Sequence, residues 1–240
     1  MKNDSLGEAP FPPSLRDAAV ARPVLSSRTG GVLAVAFHEA AHALVGRYLG
    51  FEIGVATIVP SKHFGGTVRG PGGDLDATPA DMIADARARC EEALVHMPHR
   101  GEPRGDCGAW SVHATSRCIE LMAGKEGERL SGLDYGEGGS ATDFALARLY
   151  AETVVCTDDS IDAFLNFCST EAKAILKKHR AAWGAVANGL LEHKTLDGRQ
   201  IDELIFRAEA ADELEAERKH RAAMAAMASR AEDFANGNFH

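Results

Sequence analysis

The chain has 240 residues, 45% of them hydrophobic, enough to bury a full core and consistent with one main domain. Its 35 acidic residues outnumber 26 basic ones for a net charge of −9, which argues against a nucleic-acid surface built on Lys and Arg. No apolar run approaches the roughly 18 residues needed to span a bilayer, and the start MKNDSLGEAPFPPSLRD lacks the apolar core of a secretory signal, so no membrane contact and a cytoplasmic location are expected.

Residues 1–28 hold four of the nine prolines and little periodicity, and read as a flexible arm. From Thr29 to Leu49 the residues Leu33, Phe37, Ala41, Leu44 and Leu49 recur at helical spacing, with Gly50 as the stop. Ile53–Val59 and Phe64–Arg69 suggest two strands around a turn at Ser61-Lys62-His63. Thr78-Pro79-Ala80-Asp81 starts a second helix, with Ile83, Ala86, Cys90, Leu94 and Met97 as its buried stripe. A loop over 98–108 leads to a helix from Trp110 to Leu130, then a Gly-rich loop from Gly132 to Gly139. Ser140-Ala141-Thr142-Asp143 opens the next helix, through about Val155. Helices over 159–178 and 181–194 follow, then a turn at Thr195-Leu196-Asp197-Gly198 and a long Ala/Glu-rich helix ending near Ala231. The fold class expected is mostly α with one small β element.

Within the first helix stands His38-Glu39-Ala40-Ala41-His42, an H-E-x-x-H motif. Positions i and i+4 share a helical face, so His38 and His42 can bind one metal ion together. Two imidazoles beside a carboxylate on an apolar helix are costly to bury unless something coordinates them. Glu39 is placed to act as general base on a water held at such a metal. A catalytic zinc usually takes three protein ligands and keeps one position open. Asp143, just after the Gly-rich loop, is the candidate third ligand. Its Ser140-x-x-Asp143 setting is also an ordinary capping box, and Glu126, Glu128 or the pair His96 and His99 compete for the role.

These residues resemble the zinc peptidase domain of the FtsH-type AAA proteases. The family's H-E-A-G-H-A corresponds to His38–Ala43, and its G-x-T strand step to Gly65-Gly66-Thr67-Val68. Its L-x-G-R-x-A-E-E helix is echoed by Leu121–Glu128, and its closing L-L-E-x-E-T-L-D-G by Leu190–Gly198. The family's third zinc ligand, an Asp in G-A-S-N-D-L, matches Asp143 in Gly139-Ser140-Ala141-Thr142-Asp143-Phe144. The resemblance therefore implies a zinc metalloendopeptidase with His38, His42 and Asp143 as ligands and Glu39 as base. It implies a substrate strand laid along Gly65, Gly66, Thr67 and Val68, and a hexameric homo-oligomer. Peptides or unfolded proteins would be the substrates, cut without ATP or fed by a separate AAA ATPase; a non-catalytic metal-binding module is the rival reading. Ala41 departs from the family's Gly, residues 71–116 have no family counterpart and read as an insert or lid, and no G-x-x-x-x-G-K-S/T phosphate loop occurs in these residues. The peptidase domain is expected over 29–206, with a solvated helical tail over 207–240.

The five cysteines contain no C-x-x-C pair and read as free thiols. His96, His99, Cys107, His113 and Cys118 fall in or beside the insert, but their spacings fit no standard zinc finger. Trp110 and Trp183 read as core residues.

Overall fold

In the computed structural model the described residues are 27–97, 107–133 and 137–235. Seven helices and three short strands make up this part of the chain. Helix α1 (Ser27–Tyr48) runs through the centre. Small side chains allow neighbours to approach it from several directions: Ala34, Ala36, Ala40, Ala41 and Ala43 are fully buried along it, together with Leu44 and Val45. Gly50 ends it with φ of +86°, in the left-handed region where a side chain would be strained.

Strands β1 (Val55–Thr57) and β2 (Thr67–Arg69) pair antiparallel, Ala56 opposite Val68. Helix α2 (Pro79–Val95) starts at a Thr78 capping box, as its sequence signature requires. Ala86 and Cys90 of its expected stripe are buried, and Ile83 packs against the core. Leu94 is instead half exposed, because the helix ends at Val95 and its last turn runs past the core. Helix α3 (Cys107–Ser131) lies along α1, followed by α4 (Glu137–Ala151), α5 (Asp158–Lys178) and α6 (Arg180–His193). Most of the loop expected over 98–108, with His99, lies outside the described residues.

Two elements differ from expectation. Helix α4 begins at Glu137, inside the stretch expected to be a Gly-rich loop, so Ser140 is not its cap; the Ser140 hydroxyl lies 3.4 Å from Glu128 Oε1. Thr195–Asp197 forms a strand, β3, where a turn was expected; it pairs antiparallel with β1 and completes the sheet order β2-β1-β3. The turn falls one residue earlier, at Lys194 with φ of +66°. Leu196 is buried between exposed Thr195 and Asp197, the alternation of a strand with one face on the core.

Helix α7 (Gly198–Ala235) packs on α6 through Ile201 and Ile205, and from Ala210 to Glu232 its side chains are exposed. Among the described residues no helix is long and apolar enough to cross a membrane.

Trp183 of α6 fastens this helix to α1. Its Nε1–H donates to the Phe37 carbonyl at 3.0 Å, and the Phe37 ring meets it edge-on with centroids 5.0 Å apart. Trp110 is only partly buried and donates to Thr153 Oγ1 at 2.9 Å. Trp183→Ala should destabilise the fold by about 3–5 kcal/mol, read as a lowered midpoint of urea unfolding, because it leaves a large cavity and removes the donor to the Phe37 carbonyl oxygen.

Candidate metal centre

The central segment of α1 presents His38 and His42 one turn apart toward α3 and α4. Both are buried, as is Glu39 between them in sequence. Each imidazole is oriented by what its Nδ1 meets. His38 Nδ1 lies 2.7 Å from Glu128 Oε1, and His42 Nδ1 lies 2.9 Å from the Glu120 carbonyl and 3.3 Å from its Oε1. With Nδ1–H donating to these oxygens, the Nε2 lone pairs point inward, as metal ligation requires. The two Nε2 atoms are 3.1 Å apart, and Asp143 Oδ2 of α4 lies 3.4 Å from each.

Among the described residues these three side chains are the one group of His, Cys, Asp or Glu that could share an ion, their ligand atoms all lying within 4.8 Å of one another. Ligands about 2.0–2.1 Å from a tetrahedral zinc lie about 3.4 Å from one another, close to the separations found. Facing lone pairs at such a distance would repel with nothing between them, so the donor set fits a cation. A second observation points the same way. A Cβ built on Gly124 of α3 would lie 2.5 Å from His38 Cε1 and Nε2 and from His42 Nε2. Glycine there leaves the imidazole edges the room they occupy.

The local field is set by buried charge. Burial opposes protonation of His38, but hydrogen bonds to Asp143 and Glu128 outweigh it and raise its pKa above the ordinary value. His42 moves the same way and further, burial again being outweighed by the charge of Asp143. For Asp143 burial works against ionisation, yet the two imidazoles hold it well below the usual carboxylate range. Burial pushes Glu39 up to about 7. Protons and a metal compete for the same nitrogens, so affinity for Zn²⁺ should weaken as pH falls, beginning above the ordinary His value of 6.5 because both residues are raised.

These groups open onto a cavity of about 720 Å³ that also touches Gly65, Gly66, Thr67 and Val68. The backbone at Gly66 is pressed against Glu39: a Cβ there would lie 2.7 Å from Glu39 Cγ and 2.8 Å from its Oε1. Strand β2 is an edge of the sheet, with β1 on one side and no strand on the other among the described residues. Of the competing third-ligand candidates, Glu126 turns to Arg129 and Ser169, and Glu128 serves His38 from behind. His96 is exposed and outside the group. The sequence reading missed Glu120, Arg117 and Gly124. Their one trace is a helix carrying Glu120, Glu126 and Glu128 on positions that are otherwise apolar or small. Among the described residues His96, Cys107, His113 and Cys118 form no group that could share an ion; Cys107 is part-buried and Cys118 is buried in the core.

A helix-borne pair of histidines, a distal aspartate and a buried glutamate at the mouth of a cleft define a centre of the metallohydrolase type. The comparisons narrow this. The chain is 28% identical over 190 residues to the ATP-dependent zinc metalloprotease FtsH of Chloroflexus aggregans, covering 73% of this chain and 29% of that protein. It is 28% identical over 197 residues to the protein of the same name from Lactococcus lactis, covering 75% and 27%. With the Rickettsia conorii protein, again an ATP-dependent zinc metalloprotease FtsH, identity reaches 32% over 187 residues, covering 71% and 28%. No family model matches the chain. Over most of its own length, then, the chain is FtsH-like in sequence, and it spans less than a third of these relatives.

Gly124→Ala should abolish stoichiometric Zn²⁺ binding in a chromophoric chelator competition while the helical circular dichroism persists, since the added methyl displaces the imidazoles without opening the core. Glu128→Gln, which removes the carboxylate behind His38, should weaken Zn²⁺ binding about 10–100-fold in the same assay.

Proposed function

We propose that this chain is a zinc metallopeptidase that hydrolyses peptide bonds in peptides or unfolded proteins without ATP, with His38, His42 and Asp143 as ligands and Glu39 as general base. The observation that carries the reading is the convergence of His38 Nε2, His42 Nε2 and Asp143 Oδ2 beside a buried Glu39 on a cleft floor. The printed name of the relatives, a zinc metalloprotease, supports the same metal and reaction class.

Zn²⁺, when bound, supplies Lewis-acid polarisation of the scissile carbonyl. Glu39 takes a proton from the water that attacks the carbonyl carbon and passes it to the amine nitrogen as the C–N bond breaks. A carboxyl held near 7 is suited to both halves of that transfer at neutral pH. Asp143 stays ionised and holds the imidazoles in place. The unpaired side of β2 receives the substrate as an added strand, with Gly65 and Gly66 allowing its backbone close to Glu39 and Thr67 and Val68 supplying the pairing edge. The peptidase unit is taken as residues 29–206, with the described part of the insert 71–116 contributing a wall of the cleft through residues such as Asp74, Met82 and His113, and the described helix after 207 serving as a tail. The free cysteines fit a reducing compartment such as the cytoplasm, and the working form is a homo-oligomer, as the resemblance implies.

A second reading has one observation in its favour. The relatives are named ATP-dependent, so the chain can instead be the peptidase partner of a separate AAA ATPase. The two readings part in one experiment. Cleavage of an unfolded, fluorescence-quenched protein is measured with the zinc-loaded chain alone, without ATP, beside Glu39→Gln. The expected result is cleavage by the wild type and a loss of about 10²-fold or more in the variant at equal zinc content. Absence of cleavage by both, restored on adding an AAA ATPase, would favour the partner-dependent form. For the wild type, kcat/KM should fall as pH drops through a value no higher than about 7, because Glu39 must be ionised to accept the proton.

A further inference from the structure

Arg69 ends β2, two residues beyond Thr67 and on the same face of the strand. Its guanidinium is set into the cleft wall. Nε–H donates to the Asp74 carbonyl at 3.2 Å, Nη2–H to Met82 Sδ at 3.2 Å, and Cζ lies 5.6 Å from the centre of the Phe64 ring. A thioether is a weak acceptor and a ring face holds a cation without neutralising it. In a chain with net charge −9, several other arginines find carboxylates: Arg47 pairs with Asp202, Arg117 with Glu120, Arg129 with Glu126, and Arg148 with Asp158. Among the described residues no carboxylate comes within ion-pair distance of Arg69. The negative charges that act on it most are Glu39 and Asp143, across the cleft. A cation held at the histidines would take up the charge of Asp143, leaving the guanidinium with only the fields of Glu39 across the cleft and of Asp74 beside it, and with no carboxylate in contact.

We propose that Arg69 is a specificity-determining residue of this cleft and selects substrates that carry an acidic side chain opposite it on the β2 edge. The inference rests on the peptidase reading above and names the substrate class within it. A peptide added to β2 places its side chains about 4.5–5.5 Å from those directly across the pairing, the range in which opposite charges on neighbouring strands interact. The Arg69 fork is already fixed by Phe64, Asp74 and Met82, so little side-chain entropy is lost when a carboxylate docks against it. The open donors of the fork match a carboxylate in two-pronged geometry, which a glutamine amide reproduces poorly.

The test is a set of quenched peptides in which a single Glu is moved through the positions flanking the scissile bond, each with a Gln twin. With zinc-loaded wild type, one position should show kcat/KM for the Glu peptide at least about tenfold above its twin, the worth of a charge-assisted contact. Arg69→Gln should bring that ratio to about one, Arg69→Glu should invert it, and Arg69→Lys should keep part of it. The same peptides, labelled, are titrated into zinc-loaded Glu39→Gln by fluorescence anisotropy, which reports binding without cleavage. Equal rates for every Glu/Gln pair in the wild type, or a preference that survives in Arg69→Gln, would overturn the assignment of Arg69 while leaving the peptidase reading intact. Conversely, an Arg69-dependent preference in binding with no peptide cut would support Arg69 and sink the reading on which the cleavage rests.

Discussion

The close approach of α3 to α1 is the constraint on which the remaining structure depends. Gly124 leaves the space that the inner edges of His38 and His42 fill, and Gly127, one turn on, faces Ala41 and the Phe37 carbonyl. A Cβ on Gly127 would lie 2.8 Å from Ala41 Cβ and 3.0 Å from the Phe37 oxygen. The methyl of Ala41, the one departure from the FtsH-type motif inside the first helix, is therefore accommodated by the absence of a side chain across from it. Close backbone contact here does more than pack. It brings Glu120 and Glu128 within reach of the two Nδ1 atoms, so the helix that makes room for the imidazoles also orients them.

That arrangement buries three acidic residues on one helix, which would be strongly unfavourable without compensation. Each carboxylate is matched. Glu128 meets His38 and, through its other oxygen, Lys125 at 2.9 Å. Arg117 lies 2.8 Å from Glu120 Oε2 and is itself held over the rings of Phe51 and Tyr150. Glu126 is tied to Arg129 and to the Ser169 hydroxyl of α5. The cations come from the same helix, one turn away, so the compensation does not depend on a distant loop staying in place. For Glu120 and Glu128 burial disfavours the ionised form, and the neighbouring cations and imidazoles overcome it and lower both pKa values. Ionised carboxylates behind neutral Nδ1–H groups hold the tautomer that leaves Nε2 free.

Much of this was legible in the sequence, and the reason is that its signals are local. The i, i+4 histidines, the Thr78 cap with Pro79, and the Gly50 stop each depend on neighbours within one or two turns, and the helices lie within a few residues of where periodicity places them. What escaped depends on partners far along the chain. Thr195–Asp197 carries an Asp-Gly turn signature, yet its conformation is decided by β1, about 140 residues earlier, whose Ala56 pairs with Leu196. The Gly-rich segment before Asp143 reads as a loop on composition, but helix α4 already begins at Glu137, and this start sets the rotation that turns Asp143 toward the histidines. In the sequence Glu128 has the type and position of a ligand; only the relative rotation of α1 and α3 decides that it meets His38 Nδ1 rather than Nε2.

The same geometry bears on what kind of substrate the cleft can take. An edge strand recognises a partner through backbone N–H and C=O groups, and the strands of a folded protein have already committed theirs. On the proposed reading the cleft therefore works on chain that is extended and unpaired: short peptides, unfolded segments, or a polypeptide presented by another machine. The proximity of Gly66 to Glu39 sharpens this point. The gap over Glu39 is bordered by the backbone of Gly66, where a Cβ would lie 2.7 Å from Glu39 Cγ; on the same reading, main-chain contact would set the depth of a substrate strand. Discrimination between sequences then has to come from side chains beside the edge rather than from the floor, and Arg69, at the end of β2 with its charge unpaired among the described residues, is the group there with the most to gain from a partner.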